Sequence, residues 1–428
     1  MILTLILLGV GVLLLTGLPL FAGLGLASIL IIWVVEGHTG GLGDVVFGSL
    51  SNYQLVAIPL FAFMAQIMIK AKVVDDLYAA AHVLVRHLPG GLGVATVLSC
   101  TVFAAISGSS VATALTIGAS AIPQMRQYGY PARVAYGVVA AGGTLGILIP
   151  PSGPMVLYGV ISDTSISALF IAGVVPGLMM AAIFAVFCMV QAALGKGLAR
   201  MPRASLKECA TAIRRAFWAL ILPPIVLVGM YAGVFTATEA AGVGAIAALL
   251  IATLAYRRFG WADFYESAHD TVRTSAMLFM ILAAAAMFGH VVTILRLPAA
   301  LLTTLTSLGV GPIEFILAVM LVIFILGMFL ETISIILITT PIVLPVMQAL
   351  QIDPIWYGVL LTINLELALI TPPVGMNLFV IKGISQAPLW EIVAGVLPYV
   401  GLLILGLLIV LAFPELALWL PHTMAYGR

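Results

Sequence analysis

The sequence predicts an all-α, polytopic membrane protein in which two helices are interrupted inside the apolar region. Three observations carry that prediction. The composition is 63% hydrophobic and only 8% charged, whereas roughly a quarter of a soluble domain is charged. Apolar runs of membrane-crossing length recur from end to end. Two of those runs are cut by a proline pair, Gly146-Ile-Leu-Ile-Pro150-Pro151-Ser-Gly-Pro154 and Ala368-Leu-Ile-Thr-Pro372-Pro373-Val-Gly375. Adjacent prolines end a helix, because the second lacks an N–H and its ring restricts the first. Broken backbone in lipid is tolerated only against protein or a watery cavity, where its carbonyls can hold a cation.

Taken in order, residues 2–16 form one apolar run, closed by Gly17 and Pro19. No charge precedes Glu36, so this segment reads as a retained span and not a cleaved signal. Runs 21–35 and 55–69 follow, the latter ending in Lys70 and Lys72. Residues 73–88 mix Asp75, Asp76, Arg86 and His87 with Leu77, Val83 and Val85, the pattern of a surface-lying amphipathic helix. Two half-length apolar arms flank Ser107-Gly-Ser-Ser110 within 91–125. Each is short for a crossing of about 20 residues, so a re-entrant hairpin fits better. The first broken helix covers 132–161, and 168–194 is a clean span. A basic linker follows at 196–215, with six Lys or Arg against Glu208. Beyond it come spans at 217–234, 240–256 and 276–295, an interfacial stretch at 261–270 and a surface helix at 297–308. A second hairpin at 312–348, a second broken helix at 355–383 and a last span at 390–413 complete the chain.

The second half repeats the first. At an offset of 222 positions Pro123 meets Pro345, Pro150-Pro151 meet Pro372-Pro373, Gly153 meets Gly375, and Ile171-Ala-Gly-Val-Val-Pro176 meets Val393-Ala-Gly-Val-Leu-Pro398. Prolines and glycines are the informative letters, since random apolar sequence would not align them. The expected units are 1–195 and 216–428, joined by the linker, each with five spans and one hairpin. Five is odd, so the units face opposite ways. With the linker inside, fifteen Lys and Arg fall on the cytoplasmic side and two, Arg296 and Arg428, outside. Both termini are then periplasmic. Inverted repeats with broken helices and polar mid-membrane tips are the pattern of a secondary transporter. No basic face exists for nucleic acid. Cys100, Cys188 and Cys209 lack metal-ligand spacing and read as small apolar residues.

Several motifs carry a resemblance. Ser107-Gly-Ser-Ser-Val-Ala-Thr113 with Gly118 and Ile122-Pro-Gln-Met125, then Gly146 to Gly153, Phe235-Thr-Ala-Thr-Glu239, Gly327-Met-Phe-Leu-Glu331, Asn364-Leu-Glu366, Thr371-Pro-Pro-Val-Gly375 and Asn377-Leu-Phe379 run through nearly the whole chain. In these the chain resembles the large membrane subunit of tripartite ATP-independent periplasmic (TRAP) transporters. The resemblance implies a sodium-coupled importer in a bacterial inner membrane, moving a small organic anion by an elevator motion. It also implies two partners: a small four-helix membrane subunit, expected as a separate chain, and a periplasmic substrate-binding protein. Two or more Na⁺ ions are expected, and no organic cofactor. Two positions depart from the family pattern: Glu331 stands where Asp is usual, and Ala368 where Gly is usual.

Carried onto this sequence, the resemblance implies a first sodium site at Ser107, Ser109, Ser110, Gly146, Ile149 and Pro151. It implies a second at Gly327, Leu330, Ala368, Thr371 and Val374. Serines at such tips also serve as helix caps. Ser109, Thr113, Thr144, Ser152 and Asn377 are candidates to hydrogen-bond a C4-dicarboxylate, sialic acid or similar carboxylate, with helix N-termini after the breaks aiding them; simple interhelical hydrogen bonding is the alternative. Asn364 and Glu366 lie within a span, which marks them for function. Glu239 and Glu331 are candidates for a structural or coupling role. Rival readings are a stand-alone ion-coupled anion transporter and an intramembrane hydrolase using Ser109. The latter lacks a His or Lys base at mid-membrane, so no enzyme is expected.

Overall fold

The structure, a computed structural model, describes residues 18–194 and 201–424. The expected first span, linker residues Lys196 and Arg200, and Arg428 lie outside the described residues. The described chain is helical throughout, and eight of its helices are long and apolar enough to cross a membrane. An all-α polytopic membrane protein is therefore the observed fold class.

The helices are α1 (Leu20–Glu36), α2 (Leu42–Leu50), α3 (Ala57–Lys70), α4 (Val73–Val85), α5 (Gly91–Ser107), α6 (Ser110–Gln127), α7 (Ala132–Leu148), α8 (Gly153–Ser162) and α9 (Ile166–Leu194). After the linker come α10 (Leu206–Tyr231), α11 (Ala237–Leu250), α12 (Trp261–Ile294), α13 (Leu297–Ser307), α14 (Pro312–Gly327), α15 (Thr332–Ala349), α16 (Pro354–Leu369), α17 (Met376–Ser385), α18 (Leu389–Ala412) and α19 (Glu415–His422). The tip-and-break series α5 to α8 has helices of 17, 18, 17 and 10 residues. The later series α14 to α17 has 16, 18, 16 and 10.

Three expectations change. Residues 261–270, read as interfacial, are the first turns of the 34-residue α12. The stretch carries Asp263, Glu266, His269 and Asp270, which interrupt hydropathy but not helix propensity; Lys70 of α3 pairs with Glu266. The second half of the linker is likewise helical. Ser205 and Glu208 form a reciprocal capping box at the start of α10, which satisfies two of its free N–H groups. The short helix α2 was not foreseen.

The helices pack into two groups. In one, α12 lies against α1, α2 and α3, and α11 against α3. In the other, α7 is clasped by α5, α6 and α18, and α16 by α14 and α18. The N-terminal end of α4 is apolar on the face it turns to α5 and α10, burying Val73, Val74, Leu77 and Tyr78. Close approach in the second group relies on missing side chains. A Cβ on Gly143 would come within 2.6 Å of the Ala114 methyl, and one on Gly142 within 2.8 Å of the Cys100 sulfur. A Cβ on Gly137 would strike the Gly395 carbonyl, and one on Gly395 the Arg133 carbonyl. Without a strong hydrophobic drive between helices in lipid, such contact supplies the adhesion. Two cross-links between distant segments add to it: the Tyr158 hydroxyl donates to the Pro354 carbonyl at 2.7 Å, and the Trp356 indole to the Val410 carbonyl at 3.0 Å.

Because the Gly395 contact is backbone against backbone, no neighbouring side chain can yield. Gly395→Val is expected to separate α7 from α18 and cost about 1–3 kcal/mol of stability, the usual price of overpacking. Thermal unfolding of the purified variant in detergent measures it.

Candidate functional site

The two breaks create the site's chemistry. Helix α7 stops at Leu148, Ile149 is extended, and α8 begins at Gly153 with Ser152 as its cap. Pro150 stands four residues after Gly146 and Pro151 four after Ile147. Neither proline has an N–H, so the carbonyls of Gly146 and Ile147 lose their helical donors. Pro372 and Pro373 do the same to Ala368 and Leu369. Both Pro–Pro bonds are cis. At the second break the Thr371 amide turns back onto the Ala368 carbonyl at 3.2 Å, and the Thr371 hydroxyl donates to Leu367 at 2.6 Å. Gly375, at φ 50°, backs onto the carbonyls of Leu369 and Thr371, which lie 3.2 and 2.9 Å from where its Cβ would be. Left-handed backbone and crowding together require glycine there. The breaks differ in enclosure: Pro150 and Pro151 are buried, whereas Pro372 and Pro373 are exposed.

Each hairpin tip presses on a break. Gly108, at φ 59°, packs its bare Cα against the Pro151 carbonyl. Gly146 returns the contact, with the Ser109 carbonyl 2.5 Å from its virtual Cβ. At the second tip a Cβ on Gly327 would lie 2.5 Å from the Ala368 methyl. The structure thus brings together Ser107, Ser109, Gly146 and Pro151, and separately Gly327 with Ala368. Ile149 turns its side chain away, onto Gly177 of α9. Leu330 packs on the hydrophobic core, and Val374 is half-buried.

Between the tips lies a cavity of about 210 Å³. Its wall includes Ser107 to Val111, Ile147, Pro151, Gly153, Pro154, Glu331, Thr332, Leu369 and Met376. Four helices begin at this wall: α6 at Ser110, α8 at Gly153, α15 at Thr332 and α17 at Met376. Their N-terminal amides and positive dipole ends meet this wall, whose lining has no basic side chain and one acid, Glu331. Helices α3 and α12 close the opposite side with Phe61, Thr274 and Met277. Sequence reading missed Thr274, Thr332 and this apolar wall, because nothing local in α3 or α12 shows which face meets the tips.

The candidate substrate residues divide. Ser109 lines the cavity and caps α6, accepting from the Ala112 amide at 3.4 Å. The other four stand in the wall behind it. Thr113 bonds the Ser109 carbonyl and the Ser107 hydroxyl, both at 2.8 Å. Thr144 donates to Ala141 at 2.7 Å, and Ser152 caps α8 through Met155. Asn377 donates from Nδ2 to the Ser110 hydroxyl at 2.7 Å, joining α17 to the first tip, while its Oδ1 is unpartnered. Among the candidate acids, Glu239 completes a capping box with Thr236, and Glu331 stands half-buried at the cavity as the residue before α15. Asn364 donates to the Met320 carbonyl at 2.8 Å, bracing α16 on α14. Glu366 is 0% exposed and neither carboxyl oxygen has a hydrogen bond; it approaches the Leu148 backbone without reaching bonding geometry.

A multi-pass helical protein whose interrupted helices and hairpin tips enclose a mid-chain cavity is a membrane transporter in class. Comparison narrows it. Residues 7–416 match the family model described as the tripartite ATP-independent periplasmic transporter, DctM component. The chain is 41% identical over 376 residues to the C4-dicarboxylate TRAP transporter large permease protein DctM of Pseudomonas aeruginosa, covering 88% of each. It is 33% identical over 411 residues to the ectoine TRAP transporter large permease protein TeaC of Halomonas elongata, covering 95% of this chain and 96% of that one. The fold is similar to that of the Alcanivorax borkumensis YdaH transporter, with TM-score 0.62, 15% identity, and 89% and 87% of the two chains covered. This chain belongs to the DctM family and is a TRAP transporter large permease, a transport component and not an enzyme.

Asn377→Leu keeps volume but removes the amide that ties α17 to Ser110. A loss of about 1–3 kcal/mol is expected, since the Ser110 hydroxyl is left buried and unpaired. Thermal unfolding of the purified variant in detergent should show the shift.

Proposed function

We propose that this permease takes up a small organic anion, a C4-dicarboxylate or sialic acid being the reference class, driven by a sodium gradient. The observation that carries the reading is the meeting of two backbone breaks at one cavity ringed by four helix N-termini. The carbonyls of Gly146 and Ile147, freed by the prolines, and those gathered at Gly375 form neutral oxygen sets suited to an alkali cation. Ser107, Ser109 and Ser110 would complete the first set, and Ala368 and Thr371 the second, with Gly327 admitting the tip. Bound sodium adds positive charge beside the amide N-termini that receive the carboxylate. Glu331 at the same wall disfavours a second negative group near α15, and so orients an asymmetric anion towards the serine tip.

The chain's two tip-and-break series are read as inverted repeats, with both termini periplasmic and the basic linker in the cytoplasm. The group built on α7 and α16 would move as an elevator against α1, α3, α11 and α12. The unequal enclosure of the two breaks supports an end state open towards the second one. A periplasmic binding protein would deliver substrate, and a separate small membrane subunit would complete the scaffold. The relatives' names carry both dicarboxylate and ectoine, so the binding protein is read as the part that selects among carboxylates.

Proteoliposome uptake tests it. Ser109→Ala is expected to raise the sodium concentration needed for half-maximal uptake several-fold; an unchanged sodium curve removes Ser109 from the ion site. Permease reconstituted alone is expected to be inactive until the small subunit and a cognate binding protein are added. Robust transport by the lone chain would sink the tripartite reading and favour a stand-alone carrier.

A further inference from the structure

A second cavity, of about 370 Å³, lies at the end of the molecule that holds the basic linker. It opens where the start of α5, the α6–α7 turn, the first turn of α7, the end of α9 and the first half of α18 meet. Its polar groups are Tyr130, Arg133 and Gln191, and no Asp or Glu lines it. The neighbouring basic residues are engaged: Arg86 donates to the Pro202 carbonyl and to Glu208, and Arg126 to the Tyr136 hydroxyl at 3.5 Å. Arg133 is exposed and, among the described residues, has neither an acidic partner nor a side-chain hydrogen bond within the protein. The Tyr130 hydroxyl lies against the backbone of Leu92 and Gly93 at the start of α5. Beneath, Gly93 packs on the Cys188 side chain and Gly395 on the Arg133 carbonyl, so the floor is close-packed.

An unpaired guanidinium beside a cavity without acids selects an anion, and its planar fork matches phosphate oxygens. The location selects among anions. Helices α9 and α18, with 29 and 24 residues, meet at this cavity, are long and apolar enough to cross a membrane, and carry exposed apolar side chains, among them Val186, Val190, Leu397 and Ile404. A ligand with a phosphate at the rim and acyl chains along those helices satisfies both surfaces. The cavity volume is also in the range of small-ligand sites, about 300–1,000 Å³. We propose that this cavity binds a phosphate group, that of an anionic phospholipid of the inner leaflet, through Arg133 with Gln191 as a second donor. The site is separate from the cavity between the tips and does not depend on the ion or substrate assigned above; the choice of leaflet rests on the proposed cytoplasmic placement of the basic linker. It rests on α7, the broken helix, and on α18, so an occupying lipid would bear on the helix group that shapes the transport site.

The test is a titration of the purified full chain in detergent, read as the rise in unfolding temperature. Phosphatidylglycerol, phosphatidylcholine and inorganic phosphate are the three probes. Phosphatidylglycerol is expected to stabilise the wild type at lower concentration than phosphatidylcholine. Arg133→Gln is expected to need about fivefold more of it, the effect of one basic residue at an anionic surface. Gln191→Glu, which places an acid in the cavity, is expected to weaken it likewise, and decides the matter if Arg133→Gln fails to fold. A response to phosphatidylglycerol alone supports the lipid headgroup. A response to inorganic phosphate that also needs Arg133 supports the phosphate site and adds a soluble source. Equal responses of the wild type and the folded variants, or of the two lipids, overturn the proposal.

Discussion

The structure is governed by one constraint: a main-chain carbonyl in the bilayer must not be left without a partner. Each proline pair removes two N–H donors from a helix that has nowhere to find water. The fold answers by burying α7 and α16 among other helices and by bringing a hairpin tip onto each break. Gly108 and Gly146 at one break let backbone approach backbone, and Gly327 at the other admits the Ala368 methyl, where any side chain would collide. Two of the four residues whose carbonyls are freed, Ile147 and Leu369, line the cavity between the tips, and the proposed ion sites draw on these oxygens.

Packing and polarity follow from that arrangement. The α7 helix is buried along nearly its whole length and is rich in Gly and Ala, so adhesion comes from close contact. A few polar braces hold the register: Asn364 on Met320, Asn377 on Ser110, Tyr158 on Pro354. Glu366 is the one fully buried ionisable acid among the described residues. It sits three residues before the end of α16 and close to the end of α7, both negative helix ends. Among the described residues no ion pair neutralises it, so its place beside two breaks is a polar cost held inside the helix group built on α7 and α16.

The same economy appears in how charge is placed. The cavity between the hairpin tips is met by four helix N-termini and by serine and threonine hydroxyls, with no arginine or lysine in its lining. Under the proposed function, weak fixed dipoles suit a carrier that must release what it binds, since a buried ion pair would hold too tightly. Formal positive charge stays out of this cavity, and at the linker end Arg86, Arg126 and Arg133 sit at helix boundaries.

Much of this was legible from residues alone. Apolar run lengths foretold the spans, the paired prolines foretold both breaks, and the Ser-Gly-Ser-Ser segment foretold the first tip, because each is a local property of the backbone. Residues 261–270 misled, since charge at a membrane boundary looks the same on a surface helix and on a long helix leaving the bilayer. Tertiary structure alone decided that Ser109 faces the cavity while Thr113, Thr144, Ser152 and Asn377 serve the wall behind it, and that Thr274 joins from α12. It also decided that Glu239 is spent on a cap and Glu366 on none. The reason is geometric: a sequence specifies which backbone groups lose their partners, but which side chains then meet across the break depends on how remote helices are turned, and small residues encode closeness without direction.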